Sequence, residues 1–262
     1  MRRAACLALL LLAASGCRSA ATRLPLPEGD PRPQAMLRAW QESADARHAL
    51  RGNARLAVDG EGLAVRARQI LVVERPSRLR VEVQGLLSQT IAVLVTDGPR
   101  YQLFRAEDGS LESGEVRPDL LWQVASLDLT PEQAIELVLG APRLDASLAP
   151  VRASQTADGE ISIELGDAAG RVWERRSFDV QGLLRGVERL GDDGEPIWSA
   201  RFDQYQPLGS VPFAHAIRVE AARRSARAEL VLSGVELNPV LPADIFRLQP
   251  AGSGPRAGGM GG

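Results

Sequence analysis

Apolar positions along the chain follow two rhythms, and the changes between them divide it into segments. From Gln34 to about Leu50, the positions Leu37, Trp40, Ala44, Arg47 and Leu50 recur three or four residues apart with no Gly or Pro between them. This predicts one amphipathic helix with Trp40 turned to the core. After Gly52 the period falls to two. Leu56 and Val58 precede Asp59-Gly60-Glu61-Gly62, and Leu63, Val65 and Ala67 follow it, so residues 54–74 read as two strands joined by a tight turn. In 78–83, Leu79, Val81 and Val83 alternate with Arg78, Arg80 and Glu82; residues 89–98 hold a nearly unbroken apolar run, Ile91 to Val95, expected of a strand covered on both faces. Residues 100–105 continue the meander.

Helical patterning then interrupts the strands. A short helix is predicted over 118–126, carrying Leu120, Leu121, Trp122 and Val124. In 127–140, Thr130 is suited to cap a helix, Pro131 to open it, Gln133 to complete a capping box and Gly140 to stop it. Strands resume at 160–165, 171–180, 184–190, 196–205, 213–221 and 227–237, separated by turns such as Gly191-Asp192-Asp193-Gly194. The even spacing favours one antiparallel meander over parallel units. The expected class is therefore α+β, mainly antiparallel β, with about 10–11 strands.

Composition narrows the function. The chain is 45% hydrophobic and 24% charged, enough for one sizeable core, and its formal charge of −2 with no basic stripe argues against a nucleic-acid partner. Every basic residue is arginine, which excludes lysine chemistry. Only His48 and His215 could act as imidazole bases, no G-x-S-x-G elbow is present, and Asp192-Asp193 is a turn and not an acid/base pair. Neither an enzyme nor a cofactor is expected.

The first residues, Met1-Arg2-Arg3 followed by about a dozen apolar residues, form a basic and then an apolar region too short to span a bilayer, as in an export signal. Ala14, Ser15 and Gly16 precede Cys17, an arrangement that resembles the lipobox of bacterial lipoproteins. The resemblance implies a diacylated Cys17, with chains such as palmitate, at the start of the mature protein; the alternative is an ordinary signal peptide and an incidental cysteine. Cys6, the other cysteine, leaves with the signal. Two acyl chains anchor stably where one binds reversibly. Arg18, not aspartate, follows the cysteine, which favours the outer membrane, with the domain facing the periplasm. The expected organisation is a signal peptide (1–16), a lipidated N-terminus and flexible tether rich in Pro and Gly (17–33), one domain (34–250) and a disordered tail (251–262).

Three stretches carry a family resemblance: "VVERPSRLRVEVQGLLSQTIAVLVTDG" (72–98), "LDLTPEQAIELVLG" (127–140) and "VELNPVLPADIFRLQP" (235–250). They are similar to the LolA/LolB family of bacterial lipoprotein carriers and receptors. That resemblance implies an unclosed, strongly curved half-barrel sheet with helices as a lid over an apolar cavity for acyl chains. The lipobox places the chain on the LolB-like, membrane-held side, receiving from a LolA-like periplasmic carrier. Arg75, in the Arg75-Pro76 pair, matches a lid latch, the alternative being a solvated arginine beside a strand end. Leu86 and Leu87 fall where the receptor has a membrane-insertion loop, the alternative being buried corner leucines.

Strand alternation and helix faces select Val65, Val81, Val93, Trp122, Leu139, Trp198 and Phe202 as candidate cavity lining, ordinary core being the stronger alternative for each taken singly. The implied function is an outer-membrane lipoprotein that binds acyl chains of lipoproteins or other lipids and helps deliver them. The alternative is an interaction or sensing module with the same half-barrel and no transported lipid. Mass spectrometry of the N-terminal peptide from native membranes is expected to find Cys17 diacylated, and Cys17→Ser to release the protein from the membrane; an unmodified Cys17 contradicts the anchor.

Overall fold

The computed structural model describes residues 22–60 and 63–248; the signal peptide, Cys17 and the tail beyond 250 lie outside the described residues. Fourteen strands are found among them: β1 (Arg23–Pro25), β2 (Ala49–Gly60), β3 (Leu63–Glu74), β4 (Arg78–Gln84), β5 (Thr90–Asp97), β6 (Arg100–Arg105) and β7 (Ser110–Glu115), then β8 (Ala149–Thr156), β9 (Ile161–Gly166), β10 (Val172–Phe178), β11 (Leu184–Leu190), β12 (Pro196–Leu208), β13 (Val211–Ala221) and β14 (Ala226–Leu237). Three α-helices accompany them: α1 (Pro31–Asp45), α2 (Leu120–Ala125) and α3 (Pro131–Val138).

All strands belong to one antiparallel sheet in the order β1-β8-β9-β10-β11-β12-β13-β14-β2-β3-β4-β5-β6-β7. Each run of consecutive strands, β2–β7 and β8–β14, is a meander of hairpins, and the β14–β2 pairing welds the two together. The edges β1 and β7 do not meet, so the sheet is curved but unclosed. This topology forces the chain between β7 and β8 to travel from one edge of the sheet towards the other, and α2 and α3 lie on that crossing.

Fourteen strands stand against the expected 10–11, and the three that the pattern missed share a cause. β1, β7 and β8 lie at or beside an edge and are largely exposed, so burial imposes no apolar alternation on "RLP", "SLESGE" or "APVRASQT". The expectation of a free tether through residue 33 is corrected as well. Arg23–Pro25 pair with β8, and α1 already begins at Pro31 because the Asp30 side chain accepts from Arg32 N at 2.9 Å and caps it. The same helix ends at Asp45 and does not reach Leu50, which is fully buried in β2.

On its inner face α1 buries Leu37, Trp40 and Ala44, and Trp40 meets Phe178 edge-on at 6.1 Å between ring centres. In α3 the capping box is complete: Thr130 Oγ1 accepts from Gln133 N at 3.2 Å, and Gln133 Oε1 accepts from Thr130 N at 2.9 Å. The chain after β14 doubles back: the Asn238 side chain accepts from His48 N and Ala49 N and donates to Ala46 O, and further on Arg80 holds Ile245 O at 2.9 Å. Thr130→Ala removes one reciprocal cap, and urea denaturation is expected to show a loss of about 1 kcal/mol.

Candidate functional site

Side chains directly opposite one another in an antiparallel ladder share a face, and here that rule builds a wall. Leu71, Val81, Leu94 and Leu103 form one row across β3–β6; Gln69, Val83 and Ala92 form the next across β3–β5. Leu56, Ile217, Val219, Ala228 and Leu230 extend the wall through β2, β13 and β14. Leu121, Val124, Leu127, Leu129, Ala134, Leu137 and Val138, from α2, α3 and their linker, roof it over. Between wall and roof lies a cavity of about 180 Å³. Gln69 is the one polar side chain lining it among the described residues.

Three buried arginines hold the far end of this roof. Buried carbonyls outside helix and sheet need partners of another kind, and just after α3 five in succession accept from guanidinium groups. Arg47 Nη1 donates to Leu139 O at 3.2 Å and Gly140 O at 3.1 Å, Arg75 Nη2 to Ala141 O at 2.6 Å, and Arg176 to Pro142 O and Arg143 O at 2.7 Å each. Gly140 sits at φ 61°, where a Cβ is strained, and lets the chain turn beneath these groups.

Arg75 makes the most of its fork: Nε and Nη2 grip both oxygens of Glu136 on α3 at 2.7 and 2.8 Å, and Nη1 donates to Ala44 O and Arg47 O where α1 ends. All five of its N–H donors are thereby used. Arg176 is fully buried and paired with Glu174 at 2.6 Å. Arg47 has no carboxylate partner among the described residues; burial draws its pKa down from the ordinary value, and the face of Phe213 lies 5.9 Å away.

No protein-family model matches the chain, and no curated protein is significantly similar to it. Solved structures do match in shape. A LolA superfamily protein from Nitrosomonas europaea superposes with a TM-score of 0.54 at 14% identity, over 81% of this chain and 97% of that one. The fold is LolA-like. A proposed outer membrane lipoprotein-sorting protein domain from Vibrio parahaemolyticus gives 0.55 at 10% identity, over 81% and 94% of the two chains. A protein of a domain-of-unknown-function family from Desulfovibrio piger gives 0.56 at 11%, over 83% and 98%.

Within this LolA-like sheet the sequence-selected residues fall in different places. Val81 is in the cavity wall. Val93 is a correction: it is buried, but alternation puts it on the opposite face from its neighbour Leu94. Val65 shares the wall's face, in the row Val219, Ala228, Val58, Val65, yet lies past the rim and is 38% exposed. Trp122 points away from the cavity its neighbour Leu121 lines, and lies 4.2 Å from the Arg224 guanidinium. Leu139, Trp198 and Phe202 are buried core outside the wall. Alternation assigns a face to each residue but says nothing of how far a void runs along it. His48 is exposed, and buried His215 sets Nδ1 3.2 Å from Phe213 O.

Leu86 and Leu87 are 97% and 90% exposed on the turn between β4 and β5. The turn is ordered by its own bonds: Gly85 N donates to Gln89 O at 2.8 Å and Leu87 N to Gln89 Oε1 at 2.9 Å. Gly85 leaves the room that the Gln89 side chain occupies, for a Cβ there meets it at 2.6 Å. Strand direction puts this turn at the same end of the sheet as the β13–β14 turn, opposite the end where Arg75 sits. From the β13–β14 turn Arg224 reaches the α2–α3 segment, stacking on Trp122 and pairing with Asp128 at 3.0 Å.

Sequence reasoning missed Arg47, Arg176 and Arg224 as anchors, and also Gln69. Gln69 had a signal: along β3 the inward register Val65, Ala67, Gln69, Leu71, Val73 is apolar except there. Hydrogen exchange separates the two attachments. Arg75→Ala is expected to cost about 3–5 kcal/mol, since it strands Glu136 and three carbonyls, and to speed exchange at the ends of α1 and α3. Arg224→Ala is expected to cost under about 1 kcal/mol and to speed exchange only over residues 120–128.

Proposed function

We propose that this protein is a LolB-like receptor: an outer-membrane lipoprotein, anchored through diacylated Cys17 with its domain in the periplasm, that takes acyl chains of lipoproteins or other lipids into the cavity and helps deliver them to the membrane. The observation that carries the reading is the apolar space of about 180 Å³ between sheet and helices. Each acyl methylene buried there gains about 0.8 kcal/mol. Release matters as much as capture, and a wall without charged side chains holds its cargo chiefly by burial, which a bilayer offers equally. The wall also carries no acid, base or nucleophile. The proposed act is binding of the acyl chain.

The helices serve as the lid, with Arg75 as its latch at one end and Arg224 as a weaker clasp at the other. Leu86 and Leu87 project from the clasp end, next to the wall residues Val83 and Ala92. Exposed leucines side by side are costly in water and suited to a membrane or an apolar partner; burying both in a bilayer contributes roughly 3–6 kcal/mol. The donor in this account is a LolA-like periplasmic carrier. The space beneath the helices favours this reading over an interaction or sensing module, for which a filled core would serve.

The test is transfer of an acylated lipoprotein from a LolA-like carrier to liposomes. Leu86→Glu combined with Leu87→Glu is expected to abolish transfer while stability stays within about 0.5 kcal/mol, as for exposed positions. Undiminished transfer by a folded double variant overturns the insertion role.

A further inference from the structure

We infer that Gln69 is the hydrogen-bonding position for the carbonyl group of a bound acyl chain, so that the cavity selects neutral acyl esters or amides over bare hydrocarbon. The inference rests on the acyl-binding reading and adds to it the chemical class of the ligand's head. Gln69 is only 7% exposed, lines the cavity, and has no side-chain hydrogen-bond partner among the described residues. Its neighbours across the strands, Ala54 and Val83, are apolar. A carboxamide offers two donors and an acceptor, and buried polar groups in native proteins nearly always find partners. Here the partner must come from outside the chain.

Water is a poor candidate. A buried water is held by two to four polar groups, and Gln69 is the single polar side chain of the wall. An ionised carboxylate fits no better, because the wall offers no cation to offset its desolvation. An ester or amide carbonyl needs one donor and leaves the rest of the chain to apolar contact. The position of Gln69 fixes the direction. Its row, with Val83 and Ala92, lies on the Leu86–Leu87 side of the row formed by Leu71, Val81 and Leu94. The head therefore sits towards the exposed leucines, and the chain runs inwards towards Leu79.

The experiment follows displacement of the apolar fluorophore 1-aminoanthracene from the full chain carrying Cys17→Ser, prepared without detergent. The competitors are methyl laurate, N-methyl lauramide and tetradecane. The ester, the amide or both are expected to bind about three- to tenfold more tightly than tetradecane, the worth of one hydrogen bond, and the better of the two tells ester-linked from amide-linked cargo. Gln69→Leu is expected to erase that preference, leave tetradecane binding undiminished and not lower the thermal midpoint; Gln69→Met provides the same comparison should the leucine variant misfold. A folded variant that keeps the preference, or a wild-type chain that binds all three alike, overturns the role of Gln69 alone. If nothing displaces the fluorophore from the wild-type chain, the acyl-binding reading falls and the inference falls with it.

Discussion

Five consecutive carbonyl groups at the end of α3, from Leu139 to Arg143, are each held by the guanidinium of Arg47, Arg75 or Arg176. A buried segment that belongs to neither helix nor strand leaves its carbonyls without ladder partners, and the C-terminal end of the helix before it is attractive to cations. Arginine suits the task because its planar fork reaches two or three acceptors at once and stays charged when buried. These side chains come from the α1–β2 junction, the end of β3 and β10, so they tie together parts of both meanders and the segment that crosses between them. Without them the crossing would bring unsatisfied polar groups to the edge of an apolar cavity.

The arrangement is lopsided, and the proposed mechanism depends on that. One end of the α2–α3 segment is fixed by buried bonds to charged groups, each worth more than a neutral bond. The other end rests on apolar contact and on Arg224, which is exposed and correspondingly weak as a partner. In the proposed mechanism, a lid hinged at one end and lightly clasped at the other would open towards the turn that presents Leu86 and Leu87. Cargo would then enter and leave at the end proposed to face the bilayer, and the sheet would need no rearrangement. The contrast between wall and turn fits the same proposal: apolar side chains are enclosed where cargo would be held and exposed where a membrane would be met.

Much of this was legible in the amino-acid sequence, unevenly and for physical reasons. Strands in the middle of the sheet bury one face or both, so alternation in 63–74 or 184–190 located them; β1, β7 and β8 at the edges bury little and left no such trace. The capping box of α3 is local and could be read directly, whereas the segment after it depends on arginines from distant parts of the chain, such as Arg176, indistinguishable in the sequence from Arg175 beside it, which pairs with Glu164 and Glu188 on the other face. Cavity membership was harder still. Val81 and Val93 look alike as strand valines, yet one faces the helices and the other the reverse side, and the boundary between void and filled core, with Phe202 on the filled side, is set by side-chain volumes across several strands. Gln69 stood in plain view as a break in the inward register, and only the enclosed surroundings gave the break a meaning.

The central claim is that an acyl chain lies between this sheet and its helices. Photo-crosslinking tests it most directly: a lipoprotein whose acyl chain carries a mid-chain diazirine is mixed with the protein and irradiated, and the adducts are mapped by mass spectrometry. The account expects adducts on Leu71, Val81 and Leu94, in the middle of the wall. Adducts confined to the reverse face, at residues such as Val95 and Phe246, or none above an unirradiated control, would contradict it.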